Sequence, residues 1–268
     1  MNDWMAHEPL LRLIPFVGIF ALMMIWELAL PRRELCASRS YRWWNNLGLL
    51  VVNSLVLRLI FPGAAVGVAI LASERDWGLL HQSGLSEALP WLALLLGMIV
   101  LDGIIWAQHW LFHHVPALWR LHRLHHADLD LDVTSGLRFH PLEILISMLI
   151  KTAAILLLGV PALAVLLFEI LLNASAMFNH ANVRLSPALD KWLRLVVVTP
   201  DMHRVHHSWH LDETNSNFGF NLPWWDRLFG TYCAQPKDGH DQMIIGLSHF
   251  RHLRDSRLDR LLMQPFRR

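Results

Sequence analysis

The sequence has little cysteine and none of the common redox-cofactor motifs. Its two cysteines, Cys36 and Cys233, are too few and too far apart for a CxxC metal or redox motif. They exclude both a disulfide framework and a cysteine-ligated iron–sulfur cluster. The G-x-G-x-x-G fingerprint of flavin- and nicotinamide-binding proteins is also absent. Any redox chemistry in this chain must therefore draw its electrons from a partner.

The sequence also lacks an excess of charge of either sign. Its 23 Lys and Arg residues balance 22 Asp and Glu residues, so no global field attracts nucleic acid. Hydrophobic residues instead make up 54% of the chain. They form four long runs, at residues 13–30, 46–72, 88–108 and 142–178.

The first run contains one charged residue, Glu27, and is long enough to cross a bilayer. No basic segment precedes it and no small-residue cleavage site follows it, so we expect a retained span rather than a signal peptide. The second run is interrupted by Arg58 and by Pro62-Gly63. The fourth run is too long for one crossing, and Gly159-Val160-Pro161 predicts a tight turn between two helices.

Basic residues predict the orientation of these spans. Four arginines follow the first span: Arg32, Arg33, Arg39 and Arg42. By the positive-inside rule, residues 31–45 face the cytoplasm. Alternate crossings then place residues 109–140, and the chain from Asn179 onward, on the same side of the membrane.

Eight histidines fall into three short clusters, each near the end of an apolar segment. Residues spaced i, i+3 and i+4 share one helix face, so the histidines of a cluster can point together. Imidazole suits iron, zinc, copper and nickel. One tetrahedral zinc needs about four ligands, so the larger set indicates two metal ions. The clusters are His109 and His113; His122, His125 and His126; and His203, His206 and His207. For the lone His7, His81 and His240 we expect ordinary hydrogen-bonding roles.

Spaced motifs around these clusters resemble the fatty acid hydroxylase/sterol desaturase family of integral-membrane oxygenases. The resemblance covers about residues 90–232 and includes a C-terminal signature at 215–219 and 225–231. The other motifs, in chain order, are Asp102-x6-His109-x3-His113, His122-Arg123-Leu124-His125-His126, Arg138-Phe139-His140-Pro141, Asn179-His180-Ala181-Asn182 and Pro200-x2-His203-Arg204-Val205-His206-His207-Ser208.

The resemblance implies a non-haem centre of two iron ions that uses dioxygen and external reducing equivalents to hydroxylate or desaturate a lipid. Carried over by position, the metal ligands are His109, His113, His122, His125, His126, His203, His206 and His207, with His180 as a ninth candidate. His140 is open between a ligand, a hydrogen-bond donor to a ligand and a structural residue, and we do not count it as iron-binding.

Four polar residues are candidates to orient the ligands: Asp102, Asn179, Asn182 and Asp201. A carboxylate inside an apolar span normally has a partner. Asp102 lies about two helical turns before His109 on the same face, where it can accept the outer N–H of a ligand histidine. The alternative for Asp102 is a helix-packing acid that pairs with arginine or backbone.

These patterns predict an all-α protein, an integral-membrane helical bundle with a cytoplasmic helical histidine-rich cap. Residues 1–88 form N-terminal transmembrane helices, and residues 89–235 form the fatty acid hydroxylase-like di-iron domain. Residues 236–268 form a basic tail, in which four arginines and four leucines predict an amphipathic helix on the membrane or an ordinary solvated face. The arginines are Arg251, Arg254, Arg257 and Arg260.

The predicted partners are a lipid substrate, the bilayer, and an electron-transfer protein of ferredoxin or cytochrome type with its reductase. Nucleic acid is not among them. Two other functions remain open. A zinc-dependent membrane hydrolase is disfavoured because the His109–His113 motif lacks the glutamate of H-E-x-x-H. A non-catalytic metal-binding or transport protein is disfavoured because the ligands of a transporter lie near the bilayer midplane, whereas these histidines lie at the ends of the apolar runs.

Overall fold

The structure is a computed structural model that describes residues 7–267. Residues 1–6 and 268, at the outer ends of the first and last predicted segments, lie outside that range. The regular secondary structure of the described range is helical, and its extended pairing is confined to two isolated bridges, Pro31 with Val183 and Ser208 with Ile245. The prediction of an all-α protein is confirmed.

Five helical segments of the described chain are long and apolar enough to cross a membrane. They are Glu8–Ala29, Arg39–Gln82, Pro90–His114, Pro141–Leu158 and Ala162–His180. Leucine and isoleucine side chains stand exposed along them, as lipid-facing residues do. The predicted multi-pass membrane protein is therefore supported by the number and composition of its helices.

The helices in chain order are α1 Glu8–Ala29, α2 Arg39–Ile60, α3 Ala64–Glu74, α4 Leu79–Gln82, α5 Leu85–Ala88, α6 Pro90–His114, α7 Pro116–His126, α8 Pro141–Leu158, α9 Ala162–His180, α10 Pro187–Leu193, α11 Pro200–His206, α12 Leu211–Thr214, α13 Trp224–Leu228, α14 Gly239–Gln242 and α15 Leu258–Met263. Short 3₁₀ turns lie at Ser135–Leu137, Leu253–Ser256 and Gln264–Phe266. The break between α2 and α3 falls at the predicted Pro62-Gly63.

The chain divides into two compact units, each built from three separate stretches. Within residues 7–267, the first unit comprises 7–43, Asp128–Leu137 and Ile170–Arg251, and the second comprises Trp44–Ala127, Arg138–Glu169 and 252–267. The division into segments 1–88, 89–235 and 236–268 stays a prediction from the sequence.

Buried charges fix the loops of the first unit. The Arg42 guanidinium donates to Asp128 at 2.8 Å and to Asp132 at 2.5 Å, and all three side chains are fully buried. Glu27, near the end of α1, accepts the backbone N–H of Val133 at 2.7 Å and of Asn182 at 2.8 Å. Because a buried charge that loses its partner is costly, these contacts hold residues 128–137 and the end of α9 in place.

The turn between α8 and α9 packs Gly159 closely against Gly78 in the second unit. Gly159 has φ of 67° and Gly78 has φ of 94°, and a Cβ built on Gly78 would lie 2.0 Å from the Gly159 backbone nitrogen. Only glycine tolerates both the left-handed conformation and this contact. The tight turn predicted at Gly159-Val160-Pro161 is confirmed.

The prediction of one continuous amphipathic helix in the C-terminal tail is wrong. The 3₁₀ turn Leu253–Ser256 and α15 are separated by Arg257, whose backbone is extended (ψ 138°) and which caps the start of α15. Leu261 is fully buried in a cluster with Leu49 and Leu124 of the second unit. The tail is therefore held by packing from distant parts of the chain, which its local periodicity does not reveal.

Candidate metal centre

Four histidines of the second unit converge where α6 meets α7. Helix α6 carries His109 and His113 in its last turns, and α7, which starts at Pro116, carries His122 and His126. Each offers one ring nitrogen, and these atoms all lie within 4.8 Å of one another. The Nε2 atoms of His109 and His122 are 3.1 Å apart. We call these residues the four-histidine group.

Three histidines of the first unit converge in the same way. His180 ends α9, His203 lies in α11, and His207 follows the end of α11. The Nε2 atom of His203 lies 3.0 Å from that of His180 and 3.2 Å from that of His207. All three side chains are buried. We call these residues the three-histidine group, and the predicted ninth candidate, His180, belongs to it.

The two remaining cluster histidines adjoin these groups within their own units. The ring of His125 lies 5.2 Å from that of His122 in the second unit, and the ring of His206 lies 5.1 Å from that of His203 in the first. Both side chains are fully buried. The predicted histidines are therefore brought together as sets by α6, α7, α9 and α11.

Backbone carbonyls set the tautomer of several of these rings. The Nδ1 atom lies 2.7 Å from the Ala176 carbonyl in His180, 2.6 Å from the Ser216 carbonyl in His206 and 3.2 Å from the Arg138 carbonyl in His125. A carbonyl oxygen can only accept, so Nδ1 carries the hydrogen in each ring. The lone pair of each ring is then on Nε2, the ligand atom.

A carboxylate does the same for the four-histidine group. The Nδ1 atom of His122 donates to Glu143 Oε1 at 2.6 Å, and both side chains are buried. Glu143 lies in the first turn of α8. A carboxylate behind a ligand imidazole orients the ring and raises its basicity, a common arrangement at protein metal sites.

The donor set fits a metal ion. Metal–imidazole bonds of about 2.0–2.1 Å place neighbouring ligand nitrogens about 3 Å apart, which is the spacing of the His109–His122 and His180–His203 pairs. The Nε2 lone pair of His122 lies at the His109 contact, and the Nε2 lone pair of His180 lies at the His203 contact. A cation bound within either pair would satisfy both rings of that pair. Imidazole donors suit iron and zinc alike, so geometry alone leaves the metal open.

The predicted orienting residues have the following contacts. Asn179 donates to the Phe220 carbonyl, and the Asn182 side chain bonds the backbone of Arg33. Asp201 pairs with Arg32 and Arg204. Asp102 is buried in α6, at 3% exposure. A role for these four residues in orienting ligand histidines stays a prediction.

Glu143 is the functional candidate that the sequence reasoning missed. An acidic residue at the start of an apolar span normally has a partner, but the sequence does not show that this partner is His122. His140, by contrast, caps α8: its Nδ1 accepts from the Leu142 N–H at 3.2 Å, and its Nε2 lies 3.1 Å from the Leu262 carbonyl. Both ring nitrogens are thus engaged in structural hydrogen bonds.

Charged groups surround the start of α11. Burial favours the neutral form of Asp201, but Arg204, His240 and Arg32 outweigh it and hold the pKa of this carboxyl below its usual value. Burial lowers the pKa of His240 to about 4, although Asp201 lies 3.8 Å away. His240 is therefore neutral near pH 7, and within residues 7–267 it belongs to neither histidine group.

Comparison with known proteins assigns the family. The sequence model described as Fatty acid hydroxylase matches residues 94–231. The chain is 34% identical over 228 residues to the ornithine lipid hydroxylase OlsE of Rhizobium tropici. The aligned residues cover 84% of this chain and 67% of that protein. No solved structure matches the chain.

Alkylglycerol monooxygenases are more distant relatives. The human protein is 28% identical over 150 residues, covering 55% of this chain and 32% of its own length. The Xenopus tropicalis protein is 26% identical over 240 residues, covering 86% of this chain and 48% of its own length. The chain thus spans about a third to a half of these two relatives. The family match over residues 94–231 contains all three histidine clusters, and the chain belongs to the fatty acid hydroxylase family.

Proposed function

We propose that this protein is an iron-dependent membrane oxygenase that hydroxylates a lipid. One atom of dioxygen enters a C–H bond of the lipid, and the other leaves as water after uptake of two electrons and two protons. The convergence of imidazoles, all buried except that of the half-buried His113, within each of the two histidine groups is the observation that carries the proposal. The names of the relatives, a lipid hydroxylase and monooxygenases, favour hydroxylation over desaturation.

The ligands we propose for two iron ions are the four-histidine group and the three-histidine group. His125 and His206 complete the set, because the Nδ1–H of each is fixed on a carbonyl, which places the ring lone pair on Nε2. Bound iron supplies the activation of dioxygen that an unactivated C–H bond requires. The protein supplies the fixed tautomers, the orientation of the rings, and exclusion of water by burial.

We propose that electrons arrive from a separate carrier of ferredoxin or cytochrome type. The chain has no flavin or nicotinamide fingerprint and only two cysteines. Arg254 and Arg257 of the second unit are exposed and provide basic charge for an acidic carrier. Arg251 of the first unit is exposed as well. Arg257 pairs with Asp259 at 2.5 Å, so Arg254 is the more available charge of the second unit's two.

We place the histidine clusters on the cytoplasmic side. The support is the arginine-rich segment that follows α1, together with the odd number of candidate spans. Cysteines introduced beside Arg39 and His207 should resist a membrane-impermeant label applied from outside, whereas one beside Gly84 should react. Reaction of the His207 site from outside would reverse the assignment.

Metal content tests the proposed cofactor. Protein expressed in iron-replete, zinc-poor medium and purified should hold close to two irons per chain. His203→Ala should lower this number, and His81→Ala, on a histidine outside both groups, should not. Stoichiometric zinc with no iron would favour the zinc-dependent hydrolase instead.

The lipid substrate is tested in cells. Lipid extracts from cells that express the wild-type protein should contain a species heavier by one oxygen atom, which is missing with His203→Ala. Release of a headgroup or acyl chain without oxygen gain would indicate a hydrolase. An unchanged lipid profile, with iron bound, would favour a non-catalytic metal-binding protein.

A further inference from the structure

An apolar surface outside the five candidate spans is left exposed in the first unit. It is formed by α10, the residues that follow α10, and α13. Two hydrogen bonds join α13 to the residues after α10: Trp224 Nε1 donates to the Leu195 carbonyl at 2.8 Å, and the Arg227 guanidinium donates to the Arg194 carbonyl at 2.7 Å. Trp192 is 68% exposed and Leu228 is 70% exposed. We call this surface the platform; its exposed apolar residues include Leu189, Trp192, Val196, Trp224, Leu228 and Phe229.

The platform begins just beyond two membrane spans. The segments that follow α1 and α9 pair with each other, since Arg184 N–H donates to the Leu30 carbonyl at 3.1 Å and Arg32 N–H to the Asn182 carbonyl at 2.9 Å. Helix α10 starts at Pro187, three residues after Arg184. Three residues reach at most about 10 Å. The start of α10 therefore lies close to the level at which both spans end.

Exposed charge on this surface has one sign. In residues 184–197 and 222–230 the exposed charged side chains are Arg184, Lys191 and Arg227. The acidic residues there are buried and used internally: Asp190 accepts from Thr199 at 2.5 Å, and Asp226 accepts from the backbone N–H groups of residues 218 and 219. Exposed tryptophan and leucine bordered only by basic charge are typical of a surface that enters the headgroup zone of an anionic membrane.

The platform is also tied to a ligand helix. Asp190 of α10 bonds the Thr199 hydroxyl, and that hydroxyl in turn caps α11 by accepting from the Met202 N–H at 3.3 Å. Helix α11 carries His203. A fixed depth of α10 in the membrane therefore fixes the depth of the three-histidine group.

We propose that the platform lies in the headgroup region of the same bilayer that α1 and α9 cross, with its aromatic and leucine side chains against the acyl boundary, and that it anchors α11 at the membrane surface. The occupant is lipid rather than protein, because the patch is continuous with the span ends and its exposed charges complement phosphate. This inference does not depend on the metal or on the reaction.

Spin-label accessibility tests the platform. The full-length protein, with Cys36→Ser and Cys233→Ser, is placed in nanodiscs of phosphatidylcholine and phosphatidylglycerol and labelled at Trp192→Cys. The label should relax more with oxygen, which concentrates in the membrane, than with a water-soluble nickel chelate. The matched control is Leu211→Cys, which is 74% exposed on α12 beside Asp212 and should show the opposite order.

A second label and a charge change keep the test decisive. Leu228→Cys should behave like Trp192→Cys, so poor folding of one variant does not end the experiment. Lys191→Glu should shift the label at 192 toward the chelate, whereas Lys237→Glu, a charge change outside the platform, should not. Chelate access at 192 equal to that at 211 would overturn the proposal. So would protection at 192 from both reagents in detergent, which would indicate a protein occupant.

Discussion

Loss of the Glu143 carboxylate should weaken metal binding without removing any ligand. Glu143 Oε1 accepts the Nδ1–H of His122 at 2.6 Å, and the two side chains are only 5% and 1% exposed. In Glu143→Ala the His122 ring loses its orienting partner and the basicity that the partner provides. In Glu143→Gln an oxygen acceptor stays in place, but the negative charge is gone.

The expected size of the effect follows from the burial of this bond. Hydrogen bonds to charged groups contribute about 1.5–3 kcal/mol, and each 1.4 kcal/mol is a factor of about ten in affinity. Glu143→Ala should therefore weaken iron binding by roughly 10–100-fold, the range usual for loss of such a partner. Glu143→Gln should fall at the lower end, at about tenfold.

Iron affinity is measured by competition with a chelator on purified protein in nanodiscs. The matched control is Glu169→Gln, which alters another buried carboxylate of the second unit, one that pairs with Lys151 at 2.5 Å. This variant should keep wild-type affinity even if its unfolding temperature falls. Equal iron affinity in Glu143→Gln, Glu169→Gln and wild type would refute the role of Glu143.

Three other outcomes are expected. His203→Ala should abolish lipid oxidation and lower iron content, as judged by product and metal analysis, while His81→Ala leaves both unchanged. Asp190→Ala leaves the buried Arg194 without its carboxylate, so calorimetry should show a loss of about 3 kcal/mol of stability. Because the His240 pKa is lowered from 6.5 to about 4 in the fold, the unfolded chain binds a proton first as pH falls. Stability should then drop by up to about 3 kcal/mol between pH 6.5 and 4. His240→Gln should lack that part of the pH dependence of the unfolding temperature.

The membrane helices were predictable because their signal is local. Long apolar runs and the turn at Gly159 follow from hydropathy and from glycine and proline alone. The histidine clusters were predictable for the same reason, since spacing on a helix decides which rings share a face. His180 joined a group although it stands apart from the three clusters in sequence, and only its motif indicated it.

Long-range contacts account for what the sequence did not reveal. Glu143 is 21 residues from His122, and nothing near it distinguishes a ligand partner from an ordinary acid in a first helical turn. Asp201 bonds Arg32, 169 residues away. Leu261 packs against Leu49 and Leu124, so the C-terminal tail adopts short helices in place of the one that its own periodicity predicts.

Isotope incorporation from dioxygen tests the central claim most directly. Cells that express the protein are grown under ¹⁸O₂, and their lipids are compared by mass spectrometry with those from cells that express His203→Ala. We expect one ¹⁸O atom in a hydroxylated lipid that is present only with the wild-type protein. A product that takes its oxygen from water, or one that appears equally with His203→Ala, would contradict hydroxylation by the histidine-bound metal.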